Sequence, residues 1–193
     1  MTNLILFGPP GAGKGTQSAK IIEKYSLAHI ATGDLFRKHL KEGTPLGKLA
    51  QDYMNKGNLV PDQLVIDMVD DKINSSGKIN GIIFDGFPRT IPQAEALDKL
   101  LAGKKAPIKI LIELVVSEDE LRKRLAERAV KENRPDDAKP EVIENRISVY
   151  KSETVAVADY YKKLNKYASV IGIGPIDEVF TNICREIDKA TLL

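Results

Sequence analysis

The feature that most constrains this chain is the segment ILFGPPGAGKGTQ, residues 5–17, where an apolar run changes into a glycine-rich stretch that leads to Lys14. The apolar run predicts a buried strand, and the pattern from Lys14 onward predicts a helix. Glycines let the backbone turn tightly and approach a ligand closely. The helix N-terminus and the Lys14 ammonium add positive charge at the same place. The glycines of this loop are Gly8, Gly11, Gly13 and Gly15.

The spacing Gly8-x4-Gly13-Lys14 on a strand–loop–helix unit is that of a phosphate-binding P-loop, which predicts a site for a nucleoside triphosphate or a similar polyphosphate. The motif places Ser or Thr directly after the lysine, whereas here Gly15 intervenes and the hydroxyl belongs to Thr16. This departure weakens the case for a direct bond from that hydroxyl to magnesium. A glycine-rich turn without a ligand is the alternative, but such a turn does not need four glycines and a buried cation.

Composition excludes several classes of protein. Of 193 residues, 42% are hydrophobic and 29% are charged, which is typical of a globular domain. The 29 basic residues nearly balance the 27 acidic ones, so we expect no general nucleic-acid binding. The single cysteine, Cys184, excludes an internal disulfide and a cysteine-based zinc site. No apolar run is long enough to span a membrane and no signal-peptide pattern is visible, so we expect no membrane association and a cytoplasmic protein.

Short apolar runs alternate with longer amphipathic stretches, which predicts an α/β fold with a parallel sheet covered on both faces. The predicted strands are residues 4–7, 81–86, 108–115 and 168–173, with a weaker candidate at 28–31. The predicted helices are residues 14–24, 33–41, 63–73, 92–101, 118–128, 141–164 and 177–189. Two regions depart from the alternation, residues 31–60 and residues 127–137. We interpret both as excursions over the carboxyl edge of the sheet, where open α/β sheets bind ligands.

The chain prefers lysine to arginine, so the places where it uses arginine are informative. Arginine presents a planar fork that suits phosphate oxygens. Six arginines have plausible paths to one cleft, more than one triphosphate needs, and they suggest two phosphate-bearing ligands held head to head. Surface salt bridges with Glu127, Asp136 or Asp137 are the alternative for any one of them. The six are Arg37, Arg89, Arg124, Arg128, Arg134 and Arg146.

Asp85 ends a predicted strand and would face the P-loop, where a carboxylate commonly holds magnesium directly or through water. Pairing of Asp85 with Lys14 or an arginine is the alternative. No general base is evident, because His29 and His39 lie in no recognisable constellation and are expected on the surface or in packing. A phosphate acceptor is already anionic and needs no base, so this favours a phosphate over a hydroxyl as the acceptor.

These motifs resemble those of the nucleoside monophosphate kinases, and among them the adenylate kinase family in its short-lid form. Five motifs occur in the family's order. They are GPPGAGKGTQ, ATGDLFR, GNLVPDQLVI, FDGFPRT and a series of arginines that runs through the segment RPDD and ends at Arg146. The resemblance implies a P-loop three-layer fold with a five-stranded parallel sheet flanked by helices. It divides the chain into a core of residues 1–30, 61–126 and 138–193, a monophosphate-binding region of residues 31–60, and a short lid of residues 127–137.

The resemblance also implies the reversible reaction of ATP with AMP to give two ADP, dependent on Mg²⁺, in a monomer without zinc that maintains adenine nucleotides. By the same resemblance, Lys14, Arg89, Arg124, Arg128, Arg134 and Arg146 would be catalytic. ATP would contact Gly11, Ala12, Gly13, Lys14, Gly15, Thr16, Arg124, Arg128 and Gly174. AMP would contact Thr32, Arg37, Asn58, Leu59, Val60, Gly86, Phe87, Arg89, Gln93, Arg134 and Arg146. Asp85 would hold Mg²⁺ through water.

The choice of base rests on a few polar side chains. The Gln93 amide has both a donor and an acceptor for an adenine edge, and Thr32 has a hydroxyl. The related uridylate/cytidylate kinases typically have alanine at the position of Thr32 and asparagine at that of Thr90. A uridylate/cytidylate kinase and a noncatalytic nucleotide sensor remain the alternatives. RPDDAKPEVIENR is one residue longer than the family's spacing, and we expect Pro140 to begin a helix with the extra residue in the preceding loop.

Overall fold

A computed structural model describes residues 1–132, 137 and 139–192, and Arg134 lies outside the described residues. Its centre is a five-stranded sheet, all parallel, in the order β2-β3-β1-β4-β5. The strands are β1 Asn3–Phe7, β2 Ala28–Ala31, β3 Ile82–Asp85, β4 Ile108–Val115 and β5 Tyr167–Ile171. The predicted α/β fold with a five-stranded parallel sheet is confirmed.

Helices flank the sheet and connect its strands. They are α1 Lys14–Tyr25, α2 Thr32–Lys41, α3 Pro45–Lys56, α4 Asp62–Asn74, α5 Ile91–Gly103, α6 Glu118–Lys131, α7 Pro140–Val149, α8 Val155–Lys163 and α9 Ile176–Thr191. A π-helical turn, Tyr150–Thr154, joins α7 to α8. Residues 141–164, predicted as one helix, are therefore interrupted, because the apolar periodicity that predicts a helix does not distinguish α from π hydrogen bonding.

Two further differences concern the excursions. Helix α6 continues to Lys131, three residues beyond its predicted end at residue 128 and further into the region predicted as a lid. The region of residues 31–60 contains two helices, α2 and α3, that pack closely because Gly47 has no side chain. A Cβ on Gly47 would lie 2.3 Å from the backbone carbon of His39. Thr44 caps α3 by accepting a hydrogen bond from the Gly47 N–H at 3.1 Å.

The sheet is buried on both faces, as expected for parallel strands covered by helices. In β1, Ile5 and Phe7 face one apolar cluster while Leu4 and Leu6 face the other. Each of these four side chains is at most 4% exposed. Burial of each contributes roughly 1.5–3 kcal/mol relative to an exposed side chain. The sheet is therefore a rigid platform for the loops at its carboxyl edge.

The register of the strands brings their carboxyl ends to one edge. Leu6 of β1 pairs with Asp85 of β3 and with Ile112 of β4, and Ala31 of β2 pairs with Asp85. The P-loop, the segment after Asp85 and the start of α2 consequently leave the sheet side by side. None of the helices within residues 1–132 and 139–192 has both the length and the apolar composition needed to cross a bilayer.

Candidate active site

A cleft of about 710 Å³ lies at the carboxyl edge of the sheet. Most of the residues predicted from the sequence line it, although they come from distant parts of the chain. Those on the P-loop side are Gly11, Ala12, Gly13, Lys14, Gly15, Thr16, Arg124 and Arg128. Those on the opposite side are Thr32, Arg37, Asn58, Leu59, Val60, Gly86, Phe87, Arg89, Gln93 and Arg146, and Asp85 lies between the two sets. Gly174 does not line the cleft, and Arg134 lies outside the described residues.

Lys14 lies at the bottom of the cleft and is held by backbone carbonyls. Its Nζ donates to Gly8 O at 2.7 Å and to Pro9 O at 3.0 Å. Burial of the ammonium, together with the nearby guanidinium groups of Arg89, Arg146 and Arg128, lowers its pKa to about 8, although the negative charge of Asp85 opposes the shift. Among the described residues no carboxylate forms an ion pair with Lys14, so the cleft contains an incompletely neutralised cation that an anionic ligand would stabilise.

The N-terminus of α1 adds to this positive end. Gly13 precedes the helix with a φ of 93°, in the left-handed region that favours glycine, and no side chain caps the first N–H groups. Uncapped N–H groups at a helix N-terminus form a site for an anion. The loop and Lys14 together can therefore bind a chain of phosphates.

Asp85 is the acidic residue between the two sides of the cleft, whose lining also includes Asp34, Glu127 and Glu132. Ser18 Oγ donates to its Oδ2 at 3.5 Å, and His29 Nε2 lies 4.0 Å from the same oxygen. His29, which was expected on the surface or in packing, is among the residues that line the cleft. The other histidine, His39, contacts Thr44 Oγ1 through Nδ1 at 3.2 Å, which is the packing role expected for it.

The described residues contain no cluster of three or more His, Cys, Asp or Glu side chains that could hold a metal ion by themselves. One carboxylate in a phosphate-binding cleft nevertheless fits Mg²⁺, since this ion usually keeps several waters and takes its other oxygen ligands from the nucleotide. Asp85 is therefore a suitable partner for hydrated Mg²⁺ but not for a metal held by protein ligands alone.

The segment after β3 brings two polar side chains to one carbonyl. Thr32 Oγ1 and Arg89 Nε each donate to Gly86 O at 2.8 Å. Gly86 has a φ of 73°, and a Cβ there would lie 2.9 Å from an Arg89 guanidinium nitrogen and 3.2 Å from Thr32 Oγ1. A larger residue at position 86 would displace both groups, so the glycine is needed for this wall of the cleft.

Gln93 is buried at the start of α5 and is held at both ends of its amide. Oε1 accepts from the Arg89 backbone N–H at 2.8 Å, and Nε2 donates to Asp62 Oδ1 at 2.8 Å. Thr90 Oγ1 donates to the same Asp62 oxygen at 3.0 Å. Sequence reasoning missed Asp62, although it lies in the GNLVPDQLVI segment, because its partners lie about thirty residues later in the chain.

The arginines of the cleft have carboxylate or carbonyl partners of their own. Arg37 pairs with Asp34, and Arg124 donates to Glu120 Oε1 at 2.7 Å and to Gly172 O at 3.0 Å. Ion pairs were considered from the sequence as the alternative to phosphate binding for any single arginine. Such pairs are present within the cleft itself.

Arg128 and Arg146 share one carboxylate. Arg128 Nε donates to Asp137 Oδ2 at 2.7 Å, and Arg146 pairs with Asp137 Oδ1. Asp137 is only 1% exposed. Helix α7 begins at Pro140, as predicted, and Arg146 lines the cleft despite the longer spacing before it. Asp137, considered from the sequence as a surface salt-bridge partner of a single arginine, is instead buried and joins the arginines of α6 and α7.

The chain is similar to known proteins over nearly its whole length. A family model described as Adenylate kinase matches residues 6–166, which include the P-loop, Arg89 and Arg146. The chain is 47% identical over 189 residues to the adenylate kinase of Bacteroides thetaiotaomicron, covering 98% of this chain and 100% of that protein. It is 48% identical to the adenylate kinase of Parabacteroides distasonis (98% and 99% covered) and 43% identical to that of Porphyromonas gingivalis (98% and 97% covered).

Proposed function

The chain belongs to the adenylate kinase family, phosphotransferases that have a phosphate group as acceptor, and on that premise we propose that it converts ATP and AMP reversibly into two ADP. The observation that carries the proposal is the position of Lys14 and five arginines around one cleft, some beside the P-loop and some beside the segment after β3. Cations on both sides suit two phosphate chains whose ends meet between them.

We assign the donor to the P-loop side. The uncapped N–H groups of α1 and the Lys14 ammonium would hold the phosphates of ATP, with Arg124 and Arg128 of α6 along the same chain. The acceptor AMP would lie against Thr32, Arg37, Arg89 and Gln93, with the backbone of Asn58, Leu59 and Val60 along its base. Two further contacts predicted from the sequence are part of the proposal. Gly174 would contact ATP, and Arg134 would contact the phosphate groups.

The chemistry requires positioning rather than a base. An oxygen of the AMP phosphate would attack the γ-phosphorus of ATP while the bond from that phosphorus to the β–γ bridging oxygen breaks, which yields two ADP. Lys14, Arg89, Arg128 and Arg146 would stabilise the charge on the equatorial and leaving oxygens. Because the acceptor oxygen is already anionic, no side chain needs to remove a proton.

Mg²⁺ would be held near Asp85 through water and by the phosphates of ATP. When bound, such an ion neutralises charge on the β- and γ-phosphate oxygens. Ser18, which donates to Asp85, would keep the carboxylate oriented toward the cleft.

We also propose the division of the chain predicted from the sequence, with residues 31–60 as the monophosphate-binding region and residues 127–137 as a short lid. Closure of these regions over both nucleotides would exclude water and suppress hydrolysis of ATP. We propose that the protein is a monomer, that it acts in the cytoplasm, and that it serves the homeostasis of adenine nucleotides. A buried, unpaired Cys184 suits a reducing compartment, and light scattering would test the monomer.

The test is an acceptor screen with ATP and AMP, UMP, CMP or GMP, run with magnesium and again after chelation. The proposal predicts rapid ADP formation with AMP, weak turnover with the other monophosphates and loss of activity on chelation. Faster turnover of UMP or CMP would instead support a uridylate/cytidylate kinase. Nucleotide binding without turnover of any acceptor would support a noncatalytic sensor.

A further inference from the structure

The Gln93 amide has only one orientation that satisfies its neighbours. The Arg89 backbone N–H can only donate, and it lies 2.8 Å from Oε1. Asp62 Oδ1 accepts from Nε2 at 2.8 Å, and a carboxylate oxygen has no hydrogen of its own to offer that group. A rotation of the amide by 180° would place NH₂ against N–H and oxygen against the carboxylate, and both hydrogen bonds would be lost.

Burial also prevents the Gln93 amide from replacing these two hydrogen bonds with bonds to water. Gln93 is 2% exposed and yet lines the cleft. A buried amide that loses its partners cannot exchange them for bulk water, so the full desolvation cost would be incurred. The chemistry of its two partners therefore decides which atom of the amide lies on which side.

The geometry points to a role for Asp62, a residue outside the cleft lining, in the choice of base. We propose that Asp62 is a positioning residue that locks the Gln93 amide so that an acceptor and a donor, in that fixed order, remain for the acceptor nucleotide. This inference rests on the proposed function, because it assumes that Gln93 meets the base of the monophosphate.

The locked order matches adenine and not a 6-oxopurine. The second lone pair of Oε1 can accept from the 6-amino group of adenine, while the second N–H of Nε2 can donate to N1. A 6-oxopurine has an acceptor in place of the amino group and an N–H in place of N1, with nearly the same shape. Its 6-oxygen would therefore face Oε1, and its N1–H would face the N–H of Nε2. Polar sites of this kind strongly reject an analogue whose donors and acceptors are mispaired.

The Asp62 carboxylate is itself held in position by its surroundings. It is the first residue of α4, where a carboxylate is stabilised by the helix N-terminus. The Thr90 hydroxyl donates to its Oδ1 at 3.0 Å and also accepts from the Gln93 N–H at 3.4 Å as the cap of α5. The starts of α4 and α5 are thus joined around the side chain that we expect to contact the base.

The experiment compares AMP with IMP, which differ only in these 6 and 1 positions, as acceptors for the parent enzyme and the variant Asp62→Asn. Asparagine has nearly the same shape, but its amide can either accept or donate, so Gln93 can turn. We expect kcat/KM for AMP to stay within about threefold of the parent and the AMP-to-IMP ratio of kcat/KM to fall about tenfold, since one of two locking hydrogen bonds no longer specifies the orientation. Asp62→Ser, whose hydroxyl can also donate or accept, should lower the ratio in the same direction.

Asp67→Asn is the matched control. Asp67 lies on the same helix and accepts from Gln63 Nε2 at 2.7 Å, the same type of contact, but it is exposed and away from the cleft. It should leave the ratio unchanged.

Three outcomes would overturn the assignment of Asp62. They are a parent enzyme that uses AMP and IMP equally well, a ratio that neither variant changes, and an equal loss with both nucleotides, which would indicate a structural role only. A parent that uses neither nucleotide while phosphorylating another monophosphate would instead refute the proposed function, so the two failures are distinguishable.

Discussion

Lys14 at the bottom of the cleft and Arg122 on the outer side of α6 are both held by several hydrogen bonds, but their partners differ in charge. Lys14 donates to two backbone carbonyls, at 2.7 and 3.0 Å. Arg122 donates to three carboxylates, those of Glu144, Glu118 and Asp119, at 2.6, 3.0 and 3.3 Å. Burial lowers the pKa of Lys14 to about 8, whereas the hydrogen bond to Glu144 raises the pKa of Arg122.

The difference shows how to distinguish a cation that binds a ligand from one that joins helices. Carbonyl dipoles hold an ammonium in place without neutralising its charge, so a phosphate can still gain from it. Three carboxylates around a guanidinium leave little charge for a ligand. Arg128 and Arg146, which share the single carboxylate of Asp137, are an intermediate case.

The largest expected effect is that of Lys14→Met, which removes the incompletely neutralised cation of the cleft. We expect kcat to fall about a thousandfold or more, the range for loss of a preorganised charge on a transferring phosphoryl group. Because the buried charge is itself costly, the melting temperature at pH 7 should rise. A coupled assay and a thermal melt measure the two quantities, and a variant that is both active and less stable would contradict the comparison.

Arg89→Ala tests the opposite wall of the cleft. The Arg89 guanidinium is held by Gly86 O at 2.8 Å, a carbonyl as for Lys14. We expect turnover to fall about a hundredfold while the circular dichroism spectrum and the cooperativity of unfolding are kept. Turnover close to that of the parent would refute the role assigned to Arg89.

Asp137→Asn tests the intermediate case. The amide can accept from only one of the two guanidinium groups, so Arg128 and Arg146 should become less well ordered. We expect turnover to fall about tenfold and the free energy of unfolding to fall by about 2 kcal/mol, since a buried acceptor is lost. If only stability changed, Asp137 would serve the fold and not the positions of the arginines in the cleft.

The pKa of Lys14 predicts a pH dependence. In the free enzyme the ammonium loses its proton as the pH rises through about 8. We therefore expect kcat/KM for ATP to fall about fourfold between pH 7 and pH 8.5, because this constant reports the free enzyme. Since the folded pKa lies below the ordinary value of 10.5, the unfolded chain binds more protons between these two values, and Lys14 makes stability rise with pH there. The Lys14→Met variant should lack that rise.

Arg122→Ala is expected to have the smallest effect. Its carboxylate partners lie on the exposed side of α6 and α7, where ion pairs contribute little. Turnover should stay within about twofold of the parent value. A larger loss would mean that the join between α6 and α7 affects the arginines of the cleft, and the comparison with Lys14 would have to be revised.

Local pattern predicted much of the fold and of the site. The P-loop is a contiguous motif whose glycines, lysine and following helix are neighbours in sequence, and the buried strands appear as apolar runs because both faces of a parallel sheet are covered. Pro140 also indicated the start of α7 correctly. The extension of α6 to Lys131 and the π-helical turn at Tyr150–Thr154 were not predicted, because polar helix ends and hydrogen-bond type leave no periodic signal.

What the sequence determined by itself is the chemistry available to this protein, namely a phosphate-binding loop, a set of arginines and a parallel sheet to carry them. The sequence also indicated the five described arginines that line the cleft, but the tertiary structure alone decided which groups hold each of them and that Arg122 faces carboxylates on the surface. It also decided that Asp62 meets Gln93 and that Asp137 meets both Arg128 and Arg146. The physical reason is that an ion pair or hydrogen bond depends on distance in space, and side chains far apart in the chain become neighbours only when the sheet and helices have packed.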